Sequence, residues 1–169
     1  MAQIKRALVI INPRSGRIKL SSRFADIAKI FAENGIETTL FATNGKGDAQ
    51  KYARELSDKY DAVICRGGDG TLNEVMNGVM QAKEKRPIGY IPAGTSNDFA
   101  STMKIPGAVR PAIRLIASAQ PKPHDIGLFN SERYFNYTAC FGAFTSASYA
   151  TSQTQKNLFG YGAYLSEGI

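Results

Sequence analysis

Four short apolar runs, each followed by a polar loop and a helical pattern, constrain the fold of this chain more than any other feature. The runs are Arg6 to Asn12, Glu37 to Ala42, Asp61 to Cys65 and Ile88 to Ile91. Continuous apolar strands of this length are typical of a parallel sheet covered by helices on both faces. Repeated strand, loop and helix units imply right-handed crossovers, which bring all four loops to one edge of the sheet. The sequence therefore predicts a three-layer α/β domain.

A glycine-rich stretch, Arg66 to Asn77 (RGGDGTLNEVMN), joins the third strand to its helix. Gly67, Gly68 and Gly70 are expected to take backbone conformations that other residues resist, so that successive N–H groups point into one concavity. The helix start behind them adds N–H donors without intrahelical partners and the positive end of the helix dipole. This stretch is predicted to bind an anion such as phosphate.

Asp69 is unexpected inside a phosphate site. A carboxylate about 4 Å from a phosphate charge is repelled by about 4 kcal/mol at an effective dielectric constant near 20. A shared magnesium ion removes this repulsion, because the cation accepts oxygen ligands from both groups. Alternatively, Asp69 only stabilises the turn by accepting backbone N–H bonds. Thr71 and Glu74 have the T-x-x-E spacing of a capping box, and Thr71 is also assigned to the phosphate site.

The other three loops carry polar residues that converge at the same predicted edge, where ligands of open parallel sheets bind. Individually, Ser, Thr and Asn before a helix are more often helix caps than ligands, so their common placement is the indication. The residues concerned are Asn12, Ser15 and Gly16 in the first loop, Thr43 in the second, and Thr95, Ser96, Asn97 and Asp98 in the fourth.

Composition narrows the class of partner. The 169-residue chain has a formal net charge of +7, which favours anionic partners. It lacks aromatic residues interleaved with a basic strip, so nucleic acid is not expected. No apolar run is long enough for a transmembrane helix. We expect a cytoplasmic protein whose contact with a membrane is peripheral, and Cys65 and Cys140 indicate neither a zinc site nor a disulfide framework.

The pattern changes after the helix predicted at Val109 to Ser118. His124 to Phe129 and Arg133 to Phe141 read as two strands joined by a turn at Asn130 and Ser131. Residues 1–122 are predicted to form the α/β domain, and residues 123–169 to begin a mostly β second domain. The last part, from Gly142, is expected to be an irregular loop and a helix from about Gly160. Because a two-stranded sheet is marginal alone, the natural chain is expected to continue past Ile169.

Four motifs in this order resemble the diacylglycerol kinase catalytic domain family, which includes bacterial lipid kinases and the sphingosine kinases. They are NPRSG at Asn12 to Gly16, Thr43 followed by Gly47-Asp48-Ala49, GGDGTLNEVMNG at Gly67 to Gly78, and PAGTSNDFA at Pro92 to Ala100. NAD kinases and phosphofructokinases use a similar GGDGT turn in a related fold. The combination with the first and last motifs is more specific.

The resemblance implies an ATP site with Mg²⁺, in which Asp69 works near the metal and the triphosphate. Asn97 and Asp98 would support the residues that contact ATP. An acidic general base and further metal ligands would belong to the second, mostly β domain, beyond Ile169. The residues implied to contact ATP are Asn12, Pro13, Arg14, Ser15, Gly16, Thr43, Gly67, Gly68, Asp69, Gly70, Thr71, Leu72, Asn73 and Thr95.

The leading hypothesis is an ATP-dependent lipid kinase, a transferase of which this chain supplies the ATP-binding half. The acceptor would be the hydroxyl of diacylglycerol or a related lipid at a membrane surface. The alternatives are an NAD kinase-like enzyme and a non-catalytic nucleotide-binding module. The acceptor lipid and the oligomeric state, with a homodimer as one candidate, are not fixed by these residues.

Overall fold

A computed structural model describes residues 4–15 and 20–137, and the side chains of the first helix from residue 24 onward. Within this part of the chain, four parallel strands form one sheet in the order β2-β1-β3-β4. The strands are β1 (Arg6–Ile11), β2 (Glu37–Ala42), β3 (Ala62–Gly67) and β4 (Ile88–Pro92). The strand order reverses between β1 and β3, because β2 and β3 pair with opposite edges of β1.

Helices cover both faces of this sheet, as the apolar runs predict. Helices α1 (Leu20–Glu33) and α5 (Val109–Ser118) pack on one face, and α2 (Asp48–Leu56) and α3 (Asp69–Gln81) pack on the other. Along β1, successive side chains enter the two cores alternately: Ala7, Val9 and Ile11 join the first core, and Leu8 and Ile10 join the second. Burial on both faces explains why the strand is a continuous apolar run. The predicted three-layer α/β fold is confirmed.

The start of α3 differs from the prediction. The helix begins at Asp69 with Gly68 as its N-cap, directly after β3 ends. Thr71 and Glu74 therefore lie inside the helix, where their backbone groups continue it, and no side chain caps its first turn. The predicted capping box is wrong, because the helix begins at Asp69, three residues before the start at Leu72 that Thr71 as N-cap would give.

A small antiparallel hairpin follows the α/β layers. Its strands, β5 (Gly127–Phe129) and β6 (Arg133–Phe135), are shorter than predicted, since pairing begins at Gly127 rather than at His124. The predicted turn is present: Asn130 and Ser131 have φ values of 50° and 58°, as a tight hairpin turn requires. The predictions for residues 138–169, including Cys140 and the helix from Gly160, lie outside the described residues. The boundary at residue 122 stays a prediction.

A short helix, α4 (Asp98–Thr102), connects β4 to α5, and a 3₁₀ turn spans Ser57–Lys59. Among the residues that the structure describes, no helix combines the length and the hydropathy needed to cross a bilayer.

Candidate nucleotide site

A cavity of about 420 Å³ opens at the carboxyl edge of the sheet. It lies where the strand order reverses between β1 and β3, which is the usual ligand position in open α/β sheets. Its volume falls within the range of small-molecule sites. The loops that follow all four strands contribute to its wall, together with the first turn of α2 and the first two turns of α3. The lining residues are Asn12, Arg14, Ser15, Thr43, Asn44, Gly45, Lys46, Ala49, Gly68, Asp69, Gly70, Thr71, Glu74, Gly94, Thr95 and Ser96.

Asn12 joins the first loop to the glycine turn. Its backbone N–H donates to the Arg66 carbonyl at 2.9 Å, and its Nδ2 donates to the Thr71 hydroxyl at 3.2 Å. Its Oδ1 accepts the backbone N–H of Arg14 at 3.0 Å, a turn that asparagine forms readily. Asn12 therefore fixes the place of Arg14 on the wall of the cavity, while its own backbone continues the pairing of β1 with β3.

The second loop is shaped by Asp48, the first residue of α2. The Asp48 carboxylate accepts the backbone N–H groups of Asn44 at 2.8 Å and Gly45 at 3.0 Å. Gly47 has a φ of 90°, which glycine adopts without the strain that a side chain would add. These constraints leave the exposed Lys46 at the rim of the cavity.

The glycine turn depends on close approach rather than on unusual backbone angles. Gly68 has a φ of −88°, and positive φ values among the described glycines occur at Gly35 and Gly47 instead. A methyl group added to Gly94 would lie 2.6 Å from Cα of Gly68, so the third and fourth loops touch through their backbones. The expectation of special conformations at Gly67, Gly68 and Gly70 is therefore wrong.

Gly70 has a different role from the other glycines of the turn. A methyl group added to it would meet no atom within 4 Å, because Gly70 faces the open cavity. It lies in the first turn of α3, where N–H groups have no intrahelical acceptor. A ligand can therefore approach the helix start closely, and the helix dipole favours an anionic one.

Asp69 links this turn to the fourth loop. Its Oδ2 accepts the backbone N–H of Asp98 at 3.1 Å, and its Oδ1 accepts that of Phe99 at 3.2 Å. The carboxylate thus caps α4, across two loops, rather than the turn to which it belongs. It also lines the cavity, and each oxygen has further acceptor capacity toward a ligand.

Asn97 organises the PAGTSND loop from within. It has a φ of 52°, in the left-handed region that asparagine tolerates. Its Oδ1 accepts the Gly94 N–H at 2.8 Å and the Tyr90 hydroxyl at 3.2 Å, and its Nδ2 donates to the Gly94 carbonyl at 2.9 Å. The resulting turn presents Thr95 and Ser96 to the cavity.

The carboxylates of the site influence two groups in the core below it. Burial raises the pKa of the Cys65 thiol, and the charges of Glu74 and Asp69 raise it further. Burial likewise raises the pKa of Tyr90, with the charge of Asp69 as the next contribution. Cys65 therefore stays a thiol and is unsuited to act as a nucleophile, and the Tyr90 hydroxyl keeps the proton that it donates to Asn97.

The structure brings many of the predicted site residues together. Nine line the cavity: Asn12, Arg14, Ser15, Thr43, Gly68, Asp69, Gly70, Thr71 and Thr95. Asn97 and Asp98 lie behind this wall, as described above. Four others do not line it: Pro13, Gly67, Leu72, whose side chain is in the hydrophobic core, and Asn73. Gly16 lies outside the described residues.

Seven lining residues were absent from the predicted ATP contacts: Asn44, Gly45, Lys46, Ala49, Glu74, Gly94 and Ser96. Ser96 is nevertheless among the residues that the sequence places at this edge, and Asn44, Gly45 and Lys46 belong to the polar loop that follows the second strand. Glu74 was missed because its spacing from Thr71 was interpreted as a capping box. It instead lies one turn further along α3, on the side that faces the cavity.

The carboxylates around the cavity bear on whether the site can hold magnesium. Within the described residues, no three His, Cys, Asp or Glu side chains come together as metal ligands. Mg²⁺ is commonly bound by one or two carboxylates together with substrate phosphates, and keeps several waters. Asp69 by itself does not form a metal site, but it suits the arrangement in which a metal would be bound together with substrate phosphates.

Comparisons with known proteins identify the family. The family model described as the diacylglycerol kinase catalytic domain matches residues 6–129. The chain is 39% identical over 166 residues to a diacylglycerol kinase of Staphylococcus saprophyticus, covering 98% of this chain and 54% of that protein. It is 38% identical to one of Staphylococcus aureus, covering 98% of this chain and 52% of that protein.

Solved structures show the same likeness. A diacylglycerol kinase from Bacillus anthracis superposes with a TM-score of 0.74 at 32% sequence identity, over 80% of this chain and 47% of that one. The chain spans about half the length of the curated relatives it matches. The match to the family model covers all four strands of the sheet and the described loops of the cavity. On these grounds the chain belongs to the diacylglycerol kinase catalytic domain family.

Proposed function

We propose that this chain is the nucleotide-binding part of a lipid kinase that transfers the γ-phosphoryl group of ATP to a hydroxyl of diacylglycerol or a related lipid. The observation that carries the proposal is that the first turn of α3 borders the cavity at the strand-order reversal. Gly70 in this turn faces open space. Backbone N–H groups there suit phosphate oxygens. Family membership favours this reading over an NAD kinase-like enzyme and over a module without chemistry.

In this proposal each loop contributes different groups to the binding of a polyphosphate. The first turn of α3 donates N–H groups to phosphate oxygens, and Arg14 and Lys46 supply positive charge from the first and second loops. Asp69 keeps the fourth loop against the glycine turn and offers an oxygen ligand to a nucleotide-bound Mg²⁺. When bound, Mg²⁺ neutralises charge on the phosphate oxygens.

Phosphoryl transfer of this kind depends on positioning and on charge stabilisation. The lipid hydroxyl oxygen forms a bond to the γ-phosphorus, the bond to the β–γ bridging oxygen breaks, and ADP leaves. The hydroxyl proton passes to a carboxylate base, which we place outside the described residues. The lipid is taken from a membrane surface by peripheral contact, to which the net charge of +7 contributes if the lipids are anionic.

Calorimetric titration of the 169-residue chain with ATP, with and without Mg²⁺, tests the nucleotide half of the proposal, with NAD titrated in parallel. We expect saturable ATP binding that is stronger with Mg²⁺, and no response to NAD. Asp69→Ala removes two N–H acceptors at the cavity and a ligand for the metal. It should weaken binding of magnesium-ATP by at least about tenfold.

Asp58→Ala is the matched control. The Asp58 carboxylate also accepts a backbone N–H across a loop, from Glu84 at 2.8 Å, but it does not line the cavity. Equal losses of ATP affinity in the two variants would refute the role of Asp69. Transfer of labelled phosphate from ATP to diacylglycerol in lipid vesicles, compared with transfer to NAD, tests the acceptor.

A further inference from the structure

Asn77 makes an unusual set of contacts that the nucleotide site does not use. It lies on α3 and is only 4% exposed. Its Nδ2 donates to the Tyr134 carbonyl at 2.9 Å, and its Oδ1 accepts the Tyr134 backbone N–H, also at 2.9 Å. The same Nδ2 donates to the Asn73 carbonyl, one turn back on α3, at 2.8 Å. One side chain therefore joins α3 to strand β6 through both backbone groups of a single residue.

This pairing imitates the contact between two strands. The side-chain amide has the same donor and acceptor as a peptide group, so it can occupy the edge of β6 that β5 leaves free. Tyr134 lies opposite Leu128 in the register of the hairpin, and its N–H and carbonyl point away from β5, toward Asn77. Among the side chains of similar size, only an amide supplies both groups in this geometry.

The position of Asn77 along α3 relates the hairpin to the cavity. Gly70, in the first turn, faces the cavity, and Glu74, one turn further on, also lines it. Asn77 follows in the next turn, at about 10 Å along the helix axis from Gly70. The helix also packs tightly on α2, since a methyl group added to Gly78 would collide with the Gln50 carbonyl oxygen and the Ala53 side chain. A helix restrained in this way places Asn77 at a constant distance from the cavity.

We propose that Asn77 is a positioning residue that anchors the β5–β6 hairpin on α3 and so gives the second sheet a fixed place relative to the cavity. The anchoring follows from the contacts of Asn77. Its importance for phosphoryl transfer rests on the proposed function, because an acceptor presented beyond β6 would be aligned with the triphosphate through this contact.

Amide hydrogen exchange of the 169-residue chain, followed by NMR, tests the anchoring. Asn77→Ala removes both bonds to Tyr134, and the Tyr134 amide should exchange faster by at least about tenfold. Amides of the central strands, such as those of Val9 and Ile64, should keep their exchange rates. Unchanged exchange at Tyr134 in a folded Asn77→Ala chain would overturn the proposal.

Asn34→Ala is the matched control. The Asn34 Nδ2 also donates to a carbonyl one turn back, that of Ile30 at 2.7 Å, but this residue is exposed and does not contact the hairpin. Its substitution should leave Tyr134 exchange unchanged. A measurement on the unsubstituted chain is independent of how the variants fold: the Nδ2 protons of Asn77 should exchange more slowly than those of Asn34. Equal rates would also overturn the anchoring.

ATP titration of Asn77→Ala separates positioning from binding. We expect its dissociation constant to stay within about twofold of the unsubstituted value, because Asn77 does not line the cavity. A loss as large as that of Asp69→Ala would contradict a role confined to the hairpin. If the unsubstituted chain binds no ATP, the proposed function fails, while the exchange rates at Tyr134 still decide the anchoring.

Discussion

The two ends of the parallel sheet use charged and polar side chains in different ways. At the amino end, the Asp61 carboxylate accepts the backbone N–H groups of Lys5 at 2.9 Å and Arg6 at 2.8 Å, ahead of β1. Arg6 also lies 3.9 Å from the exposed carboxylate of Glu37 on β2 and over the ring of Tyr60. These contacts join neighbouring chain segments at the surface, and none of their residues lines the cavity.

At the carboxyl end, polar side chains instead connect loops that follow different strands. Asn12 reaches Thr71, and Asp69 reaches the start of α4. Gly68 and Gly94 let two loop backbones touch. At the amino end the contacts join neighbouring segments, whereas the carboxyl end is a set of loops whose mutual spacing forms a cavity. Substitutions at the amino end should therefore change stability alone, and those at the carboxyl end should change binding as well.

The largest effect is expected for Gly94→Ala. The added methyl group would lie 2.6 Å from Cα of Gly68 and 3.0 Å from Oδ1 of Asn97, so the loops must separate. Overpacking against a backbone atom should lower the free energy of unfolding by about 3 kcal/mol. Binding of ATP should be lost with it. Urea unfolding and calorimetric titration measure the two quantities.

Gly70→Ala is the comparison variant, since its methyl group would enter open space in the cavity. Alanine in a helix is favoured over glycine by about 1 kcal/mol, so stability should be unchanged or slightly higher. Affinity for ATP should fall by about tenfold or more if phosphates approach this backbone. Full ATP affinity in Gly70→Ala would mean that the start of α3 is not the phosphate site.

A smaller effect is expected for Lys46→Ala. Lys46 lies at the rim of the cavity on a loop restrained by Asp48, but its side chain is exposed, so water and salt screen its charge. The dissociation constant for ATP should rise by about threefold to fivefold, and less at high ionic strength. Lys51→Ala, on the exposed side of α2, removes the same charge away from the cavity. Equal losses in both variants would indicate general charge attraction rather than a contact at the rim.

Sequence patterns predicted what depends on neighbouring residues. The strand at Glu37–Ala42 and the helix at Val109–Ser118 were predicted with the observed bounds, because apolar periodicity is set by which face is buried. The hairpin turn was also found from its local composition. The loops were assigned to one sheet edge by the rule for parallel crossovers, and the cavity lies at that edge.

The contacts that the sequence could not predict join residues far apart in the chain. Asn77 and Tyr134 are separated by 57 positions, and no local pattern connects them. The approach of Gly68 to Gly94 likewise depends on how two loops meet, so Gly68 alone was interpreted as a position of conformational freedom. The capping box at Thr71 failed for a related reason: β3 ends at Gly67, and only Gly68 separates it from the first residue of α3.

The smallest effect is expected at the amino end, for Asp61→Asn. The N–H bonds from Lys5 and then Arg6 lower the pKa of Asp61 below its ordinary value of 3.8. A carboxyl group whose pKa is lower in the folded state contributes stability above its unfolded pKa, and the contribution is lost as pH falls through the folded pKa. Since Asp61 is exposed, Asp61→Asn should lower the free energy of unfolding by only about 1 kcal/mol at pH 7. The difference between the two proteins should shrink below about pH 4, as the carboxylate of the unsubstituted protein takes up its proton.

Urea unfolding across this pH range measures the difference, and ATP titration at pH 7 should give the same affinity for both proteins. A pH-independent difference would show that Asp61 acts through packing rather than charge, and a loss of ATP affinity would break the distinction between the two ends of the sheet.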